Sequence, residues 1–141
     1  MPDARRLSVK EMALPFHFDA TGGVAFETNI AKVYANHIKT VVMTAFNERA
    51  MRPTYGSPTR SYLFENADPA LSQELAARVS DAVHRWEPAV VIEHVKPLRH
   101  EPNEGLIEIE IAFRVPPSTT VNRTTTQIIG GVSSTSSQAL I

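Results

Sequence analysis

Apolar positions along the chain change period twice, and each change marks an element. From about Glu27 to Phe46 they fall at Ile30, Val33, Tyr34, Ile38, Val41, Val42 and Ala45. That spacing of three and four predicts one buried helical face, with Lys32, Asn36 and Lys39 elsewhere on the cylinder. The β-branched residues lower intrinsic helix propensity, so tertiary packing must hold this segment. A second helix opens at Asp68-Pro69, with Asp68 as N-cap and Pro69 in the first turn. Leu71, Leu75, Val79, Ala82, Val83 and Trp86 line its apolar side, and Pro88 ends it.

Beyond Pro88 the period drops to two. "AVVIEHVKPL" is β-branched and extended, and "RHEPNEG" supplies turn chemistry. In "LIEIEIAFRV", Ile107, Ile109, Ile111, Phe113 and Val115 alternate with Glu108, Glu110 and Arg114. This predicts an antiparallel hairpin with one wet face. Near the start of the chain, residues 1–12 are polar and expected to be loose. Leu14, Phe16 and Phe18 then alternate in a short extended segment that breaks at Gly22-Gly23. "RSYLFEN" permits one short helical turn.

After Pro116-Pro117 the composition shifts, with eleven Ser or Thr in residues 118–141. Such a stretch cannot build a core alone and reads as a tail with a latent strand at Thr126–Val132. The expected fold class is α+β: two main helices packed on a small antiparallel sheet with a C-terminal β-hairpin and a flexible tail. The boundary divides a domain over 1–117 from a tail over 118–141, which forms a strand on assembly.

Composition narrows function mainly by exclusion. The 141 residues suit one domain, and a formal net charge of −1 gives no support to binding of nucleic acid or anionic membrane by bulk charge. There is no cysteine, so disulfides, thiolate catalysis and cysteine-ligated metals are excluded. No signal peptide and no apolar run near 20 residues is visible, so synthesis and folding in the host cytosol are expected. His17, His37, His84, His94 and His100 show no tight ligand spacing, and His37 reads as a core or boundary residue. Neither a nucleophile elbow nor a phosphate loop is present. Glu48, Glu65, Glu87, Glu108 and Glu110 could in principle supply a glycosidase pair, but scattered acids carry no motif. No catalytic residue, cofactor or metal is expected.

One connector stands apart. "NERAMRPTYG", Asn47–Gly56, joins the two helices with two arginines, a glutamate, a proline, a tyrosine and a glycine. The plain reading is that Arg49 and Arg52 pair with Glu48 or Glu65 for little net energy, while Pro53 and Gly56 set the turn.

Several ordered segments together resemble the small baseplate wedge proteins of contractile phage tails, or sheath initiators, with relatives in type VI secretion systems and extracellular injection particles. The resemblance covers about residues 14–115. It rests on "LPFHFDATGG" (Leu14–Gly23), on "NERAMRPTYG" with Asn47 where the family has glycine, and on Ser61–Asp68 matching "x-x-x-L-F-E-x-x-D". It continues in "WEPA", where Ala89 replaces the arginine of "W-E-P-R", and in the alternation Ile109–Val115. Many relatives end in an aromatic strand, where this chain has "VNRTTTQIIGGV".

The resemblance implies a non-enzymatic part of a sixfold baseplate, present in several copies and incorporated into a virion or injection particle. The implied partners are the larger wedge subunits, the sheath protein, and the tail hub or tube, with no nucleic acid or membrane. Its mechanism would be templating of the first sheath ring through an edge strand. The implied interface residues are Glu48, Arg49, Arg52, Pro53, Tyr55, Gly56, Trp86, Glu87 and Pro88. The competing class is a small tail-associated cell-wall glycoside hydrolase, which needs a cleft holding two facing carboxylates.

Overall fold

The computed structural model describes residues 9–130. The first predicted helix is α1, Ile30–Met43. It starts three residues later than the periodicity suggests because Asn29 caps it: Asn29 Oδ1 accepts from the N–H groups of Ala31 (3.0 Å) and Lys32 (3.3 Å). At the other end Thr44 turns extended. Lys39, placed by spacing outside the apolar stripe, is only 8% exposed, and burial lowers its pKa. The second helix is α2, Pro69–Trp86, capped by Asp68 Oδ1 on Leu71 N–H at 2.6 Å. Leu63 follows a 3-10 turn at Thr59–Tyr62 and is buried, as is Tyr62.

The arm that precedes α1 holds a two-stranded pair. Strand β1 (Glu11–Met12) lies antiparallel to β2 (Phe26–Glu27), so the chain is already paired at Glu11 rather than loose to residue 12. Between them Asp19 N–H donates to Gly23 O (2.8 Å) and Ala25 N–H to His17 O (3.0 Å), closing the Gly22-Gly23 turn.

Strands β3 (Val91–Glu101), β4 (Leu106–Arg114) and β5 (Asn122–Ile129) form one antiparallel sheet, with β4 in the centre. Both helices lie on one face of it, α2 nearer β3 and α1 nearer β5. Strand β5 begins four residues before the expected latent strand and pairs with β4 inside the same chain; the rest of that expected strand, 131–132, lies outside the described residues. Register explains its burial: Ile107, Ile109 and Ile111 face Ile128, Thr126 and Thr124. All three of those β5 side chains are buried beside the helices.

The core runs through the space between the layers. Ile107, Ile109, Ile111 and Phe113 from β4 meet Ile38 and Val42 from α1 and Leu75, Val79 and Val83 from α2. Full burial of such side chains favours folding by about 1.5–3 kcal/mol each before entropy is counted. The opposite sheet face stays wet, with Glu108 opposite Arg99 and Glu110 opposite Lys96.

Candidate functional surface

The connector packs as a closed loop rather than spanning its gap loosely. Ser57 N–H donates to Thr44 O (2.9 Å), and Ser57 Oγ donates to Val42 O (2.7 Å), so the far end of the connector is tied back to the end of α1 from which it leaves. Inside the loop Asn47 N–H donates to Pro53 O at 2.8 Å. Asn47 takes a left-handed φ of 65°, a conformation asparagine tolerates better than most residues. Glu48 Oε2 accepts from Ala45 N–H at 2.8 Å, so this carboxylate braces the loop instead of pairing with an arginine. Gly56 is required. Its φ is +111°, and a Cβ there would lie 2.1 Å from Thr44 O.

Tyr55 is the anchor. Its ring is 7% exposed and joins Val41 and Ala82 in a second apolar cluster between the helices. One face meets Trp86, with centroids 5.1 Å apart and planes tilted 57°. The Arg49 guanidinium sits 4.6 Å over the same tyrosine ring, and that of Arg85 lies 5.4 Å from the Trp86 ring. The connector and the end of α2 are therefore joined in a ladder of Arg49, Tyr55, Trp86 and Arg85. Burial pushes the Tyr55 phenol up, against the pull of Arg49.

The nine residues implied by resemblance thus divide. Tyr55 and Gly56 are buried, and Trp86 and Glu87 are half-buried. Glu48, Arg49, Arg52, Pro53 and Pro88 are exposed. Glu87 caps α2 through its own N–H to Val83 O (2.7 Å) and sends its carboxylate to His37 Nδ1 at 3.3 Å. Met51, inside the motif but outside that set, is 99% exposed and also has a left-handed φ, of 62°. Only its neighbours' turn geometry could have signalled it.

Beside this ladder is a shallow open groove of about 400 Å³, lined by Phe46, Pro58, Tyr62, Arg78, Asp81 and Trp86 among others. Asp81 is the single carboxylate among the lining residues. Elsewhere His94 faces Glu110 across β3 and β4 at 3.4 Å. Among the described residues no cluster of three or more His, Asp or Glu could hold a metal ion, and no helix is long and apolar enough to cross a membrane.

Several solved structures share the fold. A Geobacter sulfurreducens protein assigned by name as a tail lysozyme matches at TM-score 0.64 and 24% identity, covering 73% of this chain and 93% of that one. A chain of the anti-feeding prophage baseplate, a sixfold-symmetrised assembly, matches at TM-score 0.58 and 18% identity, over 88% of this chain and 87% of that one. A chain of the postcontracted pyocin R2 baseplate matches at TM-score 0.54 and 19% identity, over 71% and 97%. No curated protein sequence matches. The model of one family, baseplate wedge protein gp25, matches residues 31–118, from the first turn of α1 to just past β4. That span takes in both helices, the connector and the hairpin, and the chain belongs to the baseplate wedge protein gp25 family.

Proposed function

We propose that this protein is a non-catalytic baseplate subunit that docks on larger wedge subunits through the connector and templates sheath assembly through the outer edge of β5. The observation that carries the second part is the asymmetry of the sheet. Strand β3 is a poor template: it contains Pro97 and shifts register at Ile92/His94 and at Pro97/Arg99. Prolines and bulges are how sheet edges are blunted against further pairing. Strand β5 pairs with β4 over eight residues without a register shift. Among the described residues no strand pairs with its other edge, which offers N–H and C=O groups to an incoming strand, the geometry of β-augmentation. Repeated around a ring, that edge would fix the register of a polymerising sheath. Several copies in a sixfold ring, and incorporation after cytoplasmic synthesis, belong to the same proposal.

Docking through the connector is supported by its division of labour. Tyr55, Gly56 and Trp86 hold the loop rigid, while Arg49, Met51, Arg52 and Pro53 face outward. A rigid loop loses little entropy on binding.

Hydrogen exchange on the full chain, alone and with the sheath protein of the same contractile system, tests the edge. Protection should rise in 122–129 and stay unchanged in 91–101. Gain confined to β3, or no gain in a bound complex, overturns the β5 assignment. Co-purification with wedge subunits tests the connector: R49A/R52A should lose wedge binding while keeping sheath binding.

The hydrolase reading finds Asp81, but no facing carboxylate, among the groove's lining residues. Peptidoglycan cleavage lost in D81N would replace the non-catalytic reading.

A further inference from the structure

His37 on α1 lies between two carboxylates from different parts of the fold. Its Nε2 is 2.7 Å from Glu11 Oε2 in β1, and its Nδ1 is 3.3 Å from Glu87 Oε1 at the C-cap of α2. The second contact is off the axis of a good hydrogen bond, yet close enough for the charges to interact. Tyr34, from the helix's own preceding turn, meets the imidazole edge-on with centroids 5.5 Å apart. The charged groups facing the ring are thus Glu11 from the arm and Glu87 from α2, both acidic.

A neutral imidazole has one N–H and one lone pair. If Nε2 keeps the proton for Glu11, the Nδ1 lone pair points toward the Glu87 carboxylate. If Nδ1 keeps it, the Glu11 contact is lost. Only the imidazolium keeps the Nε2 donor for Glu11 and at the same time presents positive charge to Glu87. We propose that protonated His37 is a latch that ties the N-terminal arm, Glu11–Glu27, to the helical layer, and that the arm loosens when His37 loses its proton.

What the latch positions is unusual for a surface segment. Met12, Leu14, Phe16, Phe18 and Phe26 are all half or more exposed, with Phe16 and Phe18 in an edge-on pair 5.3 Å apart. The arm's internal bonds (Ala13 N–H to Ala25 O at 2.9 Å among them) keep it a unit, so release moves an apolar surface as one piece.

The direction with pH follows from the charges. Burial alone would lower the His37 pKa, but the hydrogen bond to Glu11 and the charges of Glu87 and Glu11 outweigh it and raise it above the usual histidine value. The latch is therefore fully formed below the ordinary histidine pKa of about 6.5, and is lost as pH rises through the raised value.

The test pairs the NMR titration of His37, assigned with H37Q, with hydrogen exchange of residues 11–27 corrected for the intrinsic effect of pH. His37 should titrate above the ordinary value, and arm protection should fall across that titration while the helices keep theirs. E11Q should leave the arm poorly protected at every pH with the helices intact. A His37 titration at or below the ordinary value overturns the latch. So does arm protection that is flat across the titration in the wild-type chain, or a pH step that survives unchanged in H37Q or E11Q. The wild-type profile decides the matter even if a variant unfolds.

Discussion

Gly56 and Gly22 form a natural experiment on what holds the connector. Both have φ in the left-handed half of the map, +111° and +82°. An added Cβ at Gly22 meets nothing within 4 Å, whereas at Gly56 it meets Thr44 O at 2.1 Å and Thr44 C at 2.9 Å. Alanine at Gly22 should therefore cost only the conformational strain, about 1–2 kcal/mol. Alanine at Gly56 incurs the same strain and must also push the loop from Thr44. Because Ser57 N–H bonds that same Thr44 carbonyl, relief of the clash breaks this bond and strains Ser57 Oγ to Val42 O. Buried groups left unpaired cost about 1–3 kcal/mol. The sum for G56A is about 2–5 kcal/mol, and at about 3 °C per kcal/mol for a chain of this size the melting temperature should drop by about 6–15 °C. Urea unfolding of both variants, with wild type as reference, measures the difference directly. If G56A loses no more than G22A, the Thr44 contact does not constrain the loop and the account of a rigid connector fails.

Three further outcomes follow from named contacts. Trp86 is the sole tryptophan and touches Tyr55, so Y55A should red-shift its emission and cost about 3 kcal/mol, while R49A should shift it little and cost about 0.5–1 kcal/mol. Thr126 is buried with no partner for its Oγ1, so T126V should raise stability by about 1 kcal/mol in urea unfolding. Replacing the Asp68 cap by alanine should cost about 1 kcal/mol, read as a lower midpoint at unchanged urea slope.

How much of this was legible in the sequence depends on whether local chemistry or tertiary placement decided the element. Asp68-Pro69 and Pro88 bracket α2 because a capping carboxylate and a proline act within a few residues. The strict alternation of Ile107 to Phe113 likewise revealed β4 and its buried face. Strand β5 was placed late for a chemical reason. Its inward positions are Thr124, Thr126 and Ile128, and threonine counts as polar although its branched side chain suits a strand. Lys39 and His37 were beyond reach from sequence. Lys39 is buried by what packs over it, and His37 acquires its carboxylates from residues 26 positions before it and 50 after it. The connector sits between these cases: its motif was visible, but that Tyr55 turns inward while Arg52 stays outside is a tertiary fact.

Met51 allows stability and docking to be separated at one position. It holds a left-handed φ of 62° with a side chain 99% exposed, so its backbone is strained for no intramolecular contact the side chain makes. Relieving that strain with glycine gains about 1–2 kcal/mol, against about 0.5–1 kcal/mol for the extra freedom glycine brings to the unfolded chain. M51G should therefore be neutral or slightly stabilising. If the connector docks on wedge subunits as proposed, the same variant loses an exposed apolar side chain at the contact and should bind them more weakly, by about tenfold for a buried methionine giving up 1.4 kcal/mol or more. A purely structural connector predicts no change in binding. Stability and affinity moving in opposite directions in M51G would place the wedge contact on this loop; unchanged affinity in a stable M51G would remove Met51 from it.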